Sequence, residues 1–193
     1  MKNRILASFS GQDFPSFNTS EIFIMDYTNK TENVSGIKWS NIAPTDIDAF
    51  VIDNSTLLDI TFCAFKENTI KLEGKTKELS HCEDVLFPST NSDKTWITFL
   101  ELKYPKKKEN LGSNLKETRG QLLFTLDLFR KQGIIENNRL VYLIFSAPKY
   151  TYKTPFESWS MEPSELREIR KTKHAIMRGV NSIQVKSNEK LKV

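Results

Sequence analysis

Residues 95–104, TWITFLELKY, place a carboxylate and an ammonium group on the same side of an apolar strand. One residue separates Glu101 from Lys103. Because side chains alternate along a strand, both project on the face that also carries Ile97 and Phe99. Charged groups at the margin of a buried sheet must be paired or must serve a function. The pattern leaves two interpretations open, a structural salt bridge and a reactive site.

A second carboxylate precedes this strand. Asp84 begins a short apolar segment that Pro88 stops, and residues 89–94 (STNSDK) have turn chemistry. We therefore expect a hairpin in which Asp84 lies beside the end of the strand that carries Glu101. Two converging carboxylates suit a hard cation such as Mg²⁺, which also keeps water and binds phosphate. Lys103 could then orient or activate a metal-bound water and stabilise charge on the phosphate.

The elements that must position these residues can be predicted from periodicity. The segment 57–65 could be a buried strand or a short helix, and Ile60, Thr61 and Phe62 favour a strand. Gly133 is suited to end a helix, and Pro163 with Ser164 is suited to begin another. The final residues, 187–193, are expected to fray. The predicted strands cover 21–25, 47–52, 57–65, 84–87, 95–104 and 140–146, and the predicted helices cover 115–131 and 163–177.

These elements predict an α/β (α+β) fold with a central mixed sheet flanked by helices. The strand over 140–146 is apolar on both faces, which is typical of a sheet position covered on both sides. The length of 193 residues and the 38% of hydrophobic residues indicate one domain, spanning 1–193, with a core of ordinary size.

Composition excludes several classes of protein. No segment reaches the roughly 20 apolar residues of a membrane span, and the N-terminus lacks the apolar run of a signal peptide, so a cytoplasmic location is expected. Cys63 and Cys82 are expected to be two buried thiols in a reducing compartment. His81 and His174 are too few and too scattered for a closed zinc site.

The order of these features resembles the PD-(D/E)xK nuclease superfamily. Asp84, the run Glu101-Leu102-Lys103, a helix carrying Gln121 and an apolar strand follow one another between about residues 80 and 148. The resemblance implies a restriction-endonuclease-like αβββαβ core, here with N-terminal β additions. It also implies a Mg²⁺- or Mn²⁺-dependent nuclease, for which DNA is expected as the substrate ahead of RNA.

Roles follow from the resemblance by position. Asp84 and Glu101 would be metal ligands, Lys103 the catalytic lysine, and Gln121 a helix residue near the site. The chain also departs from the family pattern. Proline does not precede Asp84, and Glu83 would be the ligand if the register differed by one residue. The helix that opens the family core, which often supplies another Glu, is not recognisable; Glu67 and Glu78 are weak candidates for that acid.

Asp46 and Asp48 form a competing acidic pair. They enter a predicted strand at i and i+2, as some metal ligands do, but Asp46 also suits a conventional turn after Pro44. The structural interpretation is favoured, and we expect these two acids to matter less than Asp84.

Basic residues cluster although the net charge is only +4. Lys106, Lys107 and Lys108 follow the strand of Glu101 directly. Arg167, Lys171 and Arg178 fall on one side of the predicted second helix. Such clusters can contact a nucleic-acid backbone, although many are simply solvated.

Three classes of function remain open. The first is a metal-dependent nuclease, for which a homodimer or a partner protein is an open option. The second is a non-catalytic relative that binds nucleic acid or protein. The third is an α+β interaction protein in which Glu101 and Lys103 form only a salt bridge.

Overall fold

The computed structural model describes residues 1–28, 36–65, 81–90, 92, 94–105, 107, 110–149 and 161–193. Within these ranges the protein is a mixed α/β structure with two mixed β-sheets and three helices. The helices are α1 (Lys2–Ser8), α2 (Leu111–Lys131) and α3 (Pro163–Lys173). The strands are β1 (Ser16–Phe17), β2 (Glu21–Asp26), β3 (Ile37–Ser40), β4 (Phe50–Asp53), β5 (Ile60–Ala64), β6 (Asp84–Pro88), β7 (Thr98–Leu102), β8 (Val141–Ser146), β9 (Ala175–Gly179), β10 (Ser182–Ser187) and β11 (Lys190–Lys192).

The first sheet has the strand order β1-β5-β6-β7-β8-β9. Strands β5, β6 and β7 form an antiparallel meander, while β7, β8 and β9 run parallel to one another. Parallel neighbours need a crossover connection, and α2 joins β7 to β8 while α3 precedes β9. The strand that carries Glu101 therefore lies between an antiparallel and a parallel neighbour.

The second sheet has the order β11-β10-β4-β2-β3. Strands β10 and β4 are parallel, and the other neighbours are antiparallel. Its strands come from the N-terminal third of the chain and from the C-terminal end. The C-terminal segment thus completes a sheet that the N-terminal segment begins.

Two cores lie on opposite faces of the first sheet. On one face the helices pack over side chains such as Phe99, with Leu126 and Phe129 of α2 and Ile5 of α1. On the other face the second sheet packs over Leu100 and its neighbours. The resulting order of layers is helices, first sheet, second sheet. We call the two faces of the first sheet the helix side and the sheet side.

Most predicted elements are confirmed. The segment 57–65 contains the strand β5, and α2 begins four residues before the predicted start. Residues 95–104 alternate as expected: Ile97 and Phe99 lie in the helix-side core, and Trp96 and Leu100 lie in the sheet-side core. The regular strand is shorter than predicted, because only residues 98–102 are paired as β7. Residues 91 and 93 of the predicted turn lie outside the described residues.

The prediction that the second helix runs to Met177 is wrong. Helix α3 ends at Lys173, and His174 has a left-handed backbone with φ of 38°. The chain then forms β9, in which Ala175, Met177 and Gly179 are buried in alternation with half-buried residues. Pairing with β8 stabilises this extended backbone. Arg178 therefore lies on a strand and does not share a helix face with the other basic residues.

The C-terminal end and the N-terminal helix also differ from expectation. Residues 187–193 do not fray, because β11 pairs with β10 and buries Leu191 in the sheet-side core. Helix α1, which sequence patterns did not reveal, packs Ile5 in the helix-side core but carries no acidic residue. Cys63 and Cys82 are free, buried thiols, as predicted. In the described part of the chain no helix has the length and apolar character needed to cross a membrane.

Leu191→Ala tests whether the C-terminal strand contributes to the fold. The side chain is 6% exposed, so its truncation should lower the free energy of unfolding by roughly 2–5 kcal/mol, as for other buried leucines. Urea unfolding followed by circular dichroism measures this change. Lys190→Ala, at the exposed neighbouring position, should stay within about 0.5 kcal/mol of wild type. Equal stability of the two variants would mean that the end of the chain is frayed.

Candidate active site at the end of strand β7

Glu101 and Lys103 form an ion pair where β7 ends. The Lys103 Nζ atom lies 2.6 Å from Glu101 Oε1; the Glu101 side chain is fully buried, and that of Lys103 is 21% exposed. The strand ends at Leu102, and Pro105 follows with no backbone N–H to extend the pairing. The backbone N–H of Lys103 donates to the Ser146 carbonyl at 2.8 Å, at the end of β8. The pair thus lies at the carboxyl ends of two parallel strands.

Glu83 lies directly beside Glu101. Its backbone N–H donates to Glu101 Oε2 at 3.0 Å. In return, Glu83 Oε2 accepts a hydrogen bond from the backbone N–H of Leu102 at 2.9 Å. These reciprocal side-chain bonds replace ordinary strand pairing at the end of the hairpin. They bring two carboxylates and one ammonium group together.

Asp84 occupies the opposite face. Strands β6 and β7 form the predicted hairpin, and the register places Asp84 opposite Leu100, so its side chain is on the sheet side, whereas Glu101 is on the helix side. Asp84 Oδ2 accepts a hydrogen bond from Trp39 Nε1 at 2.6 Å, and Oδ1 accepts one from the backbone N–H of Cys63 at 3.1 Å. The hairpin prediction placed the carboxylates of Asp84 and Glu101 together. The structure instead places them on opposite faces of the sheet. Glu83, and not Asp84, lies beside Glu101.

The protonation equilibria of the paired acids reflect burial and crowding. Burial raises the pKa of Glu101 to about 7, although the Lys103 charge and hydrogen bond oppose the rise. Burial also raises the pKa of Glu83 well above its usual value, and the negative charges of Glu101 and Asp26 add to the effect. For Lys103, burial opposes the charged form, but attraction to Glu101, Glu83 and Glu117 outweighs it, so the pKa of Lys103 is raised and it stays charged. One lysine thus does not keep both Glu83 and Glu101 fully ionised near neutral pH.

Asp26 is an acid of this site that sequence patterns did not reveal. It ends β2 in the second sheet, is 8% exposed, and accepts hydrogen bonds from the backbone N–H and the hydroxyl of Thr28. Its charge raises the pKa of both Glu83 and Glu101. The only signal in the sequence is an acid that closes the apolar run EIFIMD. Acids at the end of an apolar strand are common. The position of Asp26 near Glu83 depends on the packing of the two sheets, which the sequence does not reveal.

A cavity of about 610 Å³ opens beside these acids. Asp13, Asp26 and Glu83 contribute carboxylates to its wall, and Trp39 and His81 are also in contact with it. We call it the acidic cavity. The negative charge of the acidic cavity disfavours the binding of an anion alone. It favours the binding of a cation, or of an anion together with a cation.

The oxygen atoms of these acids are of the chemical type that hard divalent cations bind. Carboxylate oxygens are what Mg²⁺ and Mn²⁺ prefer, and the buried negative charge would be balanced by such an ion. Among the described residues, no three His, Cys, Asp or Glu side chains are already grouped as a metal cage. Glu83 and Glu101 lie side by side, and an oxygen of each also accepts a backbone hydrogen bond.

Gln121 points at the sheet as predicted. Its side chain is half-buried, and Nε2 lies 3.5 Å from the carbonyl oxygen of His81, two residues before Glu83. It is therefore close to the start of β6.

Asp46 and Asp48 lie in the exposed connection between β3 and β4. Asp46 Oδ1 accepts a hydrogen bond from the Tyr27 hydroxyl at 2.9 Å, and Asp48 contributes its backbone carbonyl, which accepts one from the Tyr104 hydroxyl at 2.7 Å. These contacts agree with the structural interpretation of the pair. The other candidate acids, Glu67 and Glu78, lie outside the described residues.

The described residues of the two predicted basic clusters lie on three different segments of the chain. Lys107 is exposed, and Lys106 and Lys108 lie outside the described residues. Arg167 and Lys171 are exposed on α3. Arg178, on β9, is half-buried, and its Nη1 donates to the Met177 carbonyl at 3.1 Å.

Comparison of the chain with protein-family models, with curated proteins and with solved structures gave no match in any of the three. The proposed function therefore rests on the arrangement of the side chains around Glu101 and Lys103.

Asp84→Asn tests the cost of burying a carboxylate between the sheets. Burial raises the pKa of Asp84 to about 7 from an ordinary value of 3.8, against the opposing hydrogen bonds from Trp39 and Cys63. Between these values the folded state keeps a proton that the unfolded state has released, so the stability that this proton confers is lost as pH rises towards 8. The Asp84 share of that loss between pH 5 and 8 should be about 3 kcal/mol.

Chemical unfolding of metal-free protein at both pH values measures the loss. Asp84→Asn should flatten the pH dependence by this amount, whereas Asp59→Asn, at an exposed position, should leave it unchanged. An identical slope in wild type and Asp84→Asn would show that the carboxyl group is not buried as described.

Proposed function

We propose that the protein is a metal-dependent phosphodiesterase, a nuclease whose substrate is DNA. The observation that carries this proposal is the buried Glu101–Lys103 pair with a second carboxylate, Glu83, hydrogen-bonded beside it. An isolated salt bridge would need one acid for one base. Here two acids adjoin the lysine, and Asp26 adds a third negative charge nearby.

The order of elements supports a restriction-endonuclease-like core. Helix α1, the meander β5-β6-β7, helix α2 and the parallel strand β8 follow one another in the order αβββαβ, with β1 to β4 inserted after the first helix. The acids and the lysine are on the hairpin β6-β7 or next to it. Ligands of open α/β sheets commonly bind outside the carboxyl ends of strands, where Glu101 and Lys103 lie.

Each residue then has a defined task. Glu83 and Glu101 would hold the divalent cation, and Asp26 would increase the negative potential that attracts it. The bound cation would polarise the phosphodiester and lower the pKa of a water molecule. The Lys103 ammonium, oriented by Glu101, would donate hydrogen bonds to a phosphate oxygen and stabilise its growing charge. Asp84 would act as a positioning residue, because its bonds to Trp39 and Cys63 fix the start of β6 next to Glu83.

A second candidate is a non-catalytic module with the same fold that binds nucleic acid or protein. Both Asp84 oxygens accept hydrogen bonds from protein donors, and the 2.6 Å contact between Lys103 and Glu101 already pairs the two charges. In this alternative the exposed basic residues, among them Lys107, Arg167 and Lys171, would contact phosphates. A nuclease assay separates the two candidates.

Lys103→Ala should lower cleavage by about 100–1000-fold, because one preorganised donor at a developing charge contributes that much. The assay uses plasmid, single-stranded DNA and RNA substrates with Mg²⁺, Mn²⁺ or EDTA. Calorimetric Mn²⁺ binding and the circular dichroism spectrum should remain close to wild type. Lys131→Ala, which removes an exposed cation at the far end of α2, is the matched control and should cleave normally. Wild type that cleaves none of the substrates with either metal would favour the non-catalytic module.

Glu83→Gln and Asp84→Asn separate the two candidate acids. The sequence pattern assigns the ligand role to Asp84, whereas the contact with Glu101 favours Glu83. We expect Glu83→Gln and Glu101→Gln each to weaken Mn²⁺ binding at least tenfold, measured by calorimetry at pH 8. Asp84→Asn should reduce cleavage while changing Mn²⁺ affinity less than twofold. The reverse result, with affinity lost only in Asp84→Asn, would show that the sheet-side carboxylate is the ligand.

A further inference from the structure

A second pocket lies on the helix side of the first sheet, between α2, α3 and the ends of β8 and β9. Its volume is about 340 Å³, which falls within the roughly 300–1000 Å³ of small-ligand sites. We call it the helix-side pocket. Its chemistry differs from that of the acidic cavity, because basic and apolar residues predominate in its lining, with Glu165 as an acid among them.

Three basic side chains line the helix-side pocket. Lys116 and Arg119 come from α2, and Arg178 comes from β9. Among the described lining residues Glu165 is the one acid, and it pairs with Arg119 at 3.0 Å. Basic residues therefore outnumber acidic ones in the described lining. The pocket therefore favours an anionic group, and guanidinium and ammonium groups are the usual partners of phosphate.

A buried hydroxyl group adds a second, independent indication of a ligand. Thr118, on α2, is only 1% exposed and lines the pocket. Its Oγ1 atom has no hydrogen-bond partner within the described ranges. A buried polar group left without a partner costs about 1–3 kcal/mol. An oxygen atom of a bound ligand would supply the missing partner.

The rest of the wall is apolar. Phe145, Met161 and Met177 contribute an aromatic ring and two thioethers, beside Leu115 and Leu122 of α2. Thioether and aromatic side chains make favourable contacts with flat π systems. The pocket thus combines a basic rim with a surface suited to a planar ring. A phosphate joined to a base has both features.

The sheet register relates this pocket to the candidate active site. Glu101 pairs with Phe145, and Phe145 pairs with Gly179, so three residues form one row across β7, β8 and β9. Phe145 and Gly179 both line the pocket. Neighbouring strands are about 4.8 Å apart, so the pocket begins roughly 5–10 Å from Glu101 on the same face of the sheet. That distance is short enough for one nucleic-acid strand to reach both places.

We propose that the helix-side pocket binds one nucleotide of a nucleic-acid strand, adjacent to the phosphodiester that lies at Glu101 and Lys103. The proposal rests on the proposed nuclease function for the nature of the strand. Lys116 and Arg178 contact the phosphate of this nucleotide, the Thr118 hydroxyl donates to one of its oxygens, and the base packs on Phe145 and Met177. The pocket fixes the position of the strand relative to Lys103.

Binding without cleavage tests the pocket separately. Fluorescence anisotropy with a labelled six-nucleotide single-stranded DNA in EDTA measures strand affinity, and competition with thymidine 5′-monophosphate, thymidine and inorganic phosphate identifies the group recognised. The double variant Lys116→Gln/Arg178→Gln should weaken oligonucleotide binding about tenfold or more. Thr118→Val, which keeps the shape but removes the hydroxyl, should weaken it severalfold. Lys131→Gln, an exposed lysine of the same helix, is the charge control and should bind like wild type.

The competitors define the ligand. Thymidine 5′-monophosphate should compete better than either thymidine or inorganic phosphate, because both the basic rim and the apolar wall are used. Equal binding by the double variant and the Lys131→Gln control would overturn the proposal. Tight binding of the mononucleotide together with no binding of the oligonucleotide would also overturn it, since the pocket would then serve a free nucleotide.

Failure of the pocket and failure of the proposed nuclease function are distinguishable. If Lys103→Ala loses cleavage and the double variant binds the strand normally, the nuclease stands and the pocket does not. If wild type cleaves no substrate and the double variant still loses strand binding, the pocket stands and the nuclease does not. Unfolding curves of Thr118→Val should match or exceed wild-type stability, because the variant removes a buried hydroxyl without a partner.

Discussion

The structure depends on strand β7 being covered on both faces. Helices bury one face and the second sheet buries the other, so every side chain of β7 is buried. A carboxylate in such a strand loses its hydration and must be paired, protonated or bound to a cation. Glu101 meets this constraint with Lys103, with the backbone N–H of Glu83 and with its place at the end of the strand. Burial in β7 makes the charge of Glu101 costly. The position of Glu101 near the end of β7 also places its carboxylate at the end of the sheet, where the proposed substrate would bind.

The balance of charge decides between a structural and a reactive interpretation of this cluster. In a purely structural ion pair, the two charges and the hydrogen bonds around them satisfy one another. Here Glu83 and Asp26 add negative charge around one lysine, and burial raises the pKa of both Glu83 and Glu101. Either a proton or a cation must relieve this repulsion. In the proposed function a divalent cation would do so at neutral pH, and the carboxylates would keep the negative charge that they need as ligands.

Local patterns predicted much of the fold because the elements concerned are set by local periodicity. The alternation in residues 95–104 correctly assigned the two faces of β7, and apolar spacing located α2 and β8. The predictions failed where residues that are distant in sequence determine the local conformation. Residues 175–179 adopt a strand because β8 lies alongside, and the signal at Ile176 and Met177 is compatible with either conformation. Whether Glu83 or Asp84 lies beside Glu101 depends on Trp39. This residue is 45 positions from Asp84 in sequence and donates a hydrogen bond to it.

The bond between Trp39 and Asp84 links the site to the second sheet. Trp39 lies on β3, Asp84 lies on β6, and Asp26 reaches the acids from the end of β2, so two elements of the second sheet act at the end of the first. A change in the packing of the two sheets would therefore alter both the position of β6 and the negative potential at Glu101. The helix-side pocket, in contrast, is built from α2, α3, β8 and β9 and involves no described residue of the second sheet. In the proposed function the two faces of the first sheet would have separate roles: contacts on the sheet side would hold Asp84 and β6 in place, and the helix side would offer the basic and apolar surface along which a nucleic-acid strand binds.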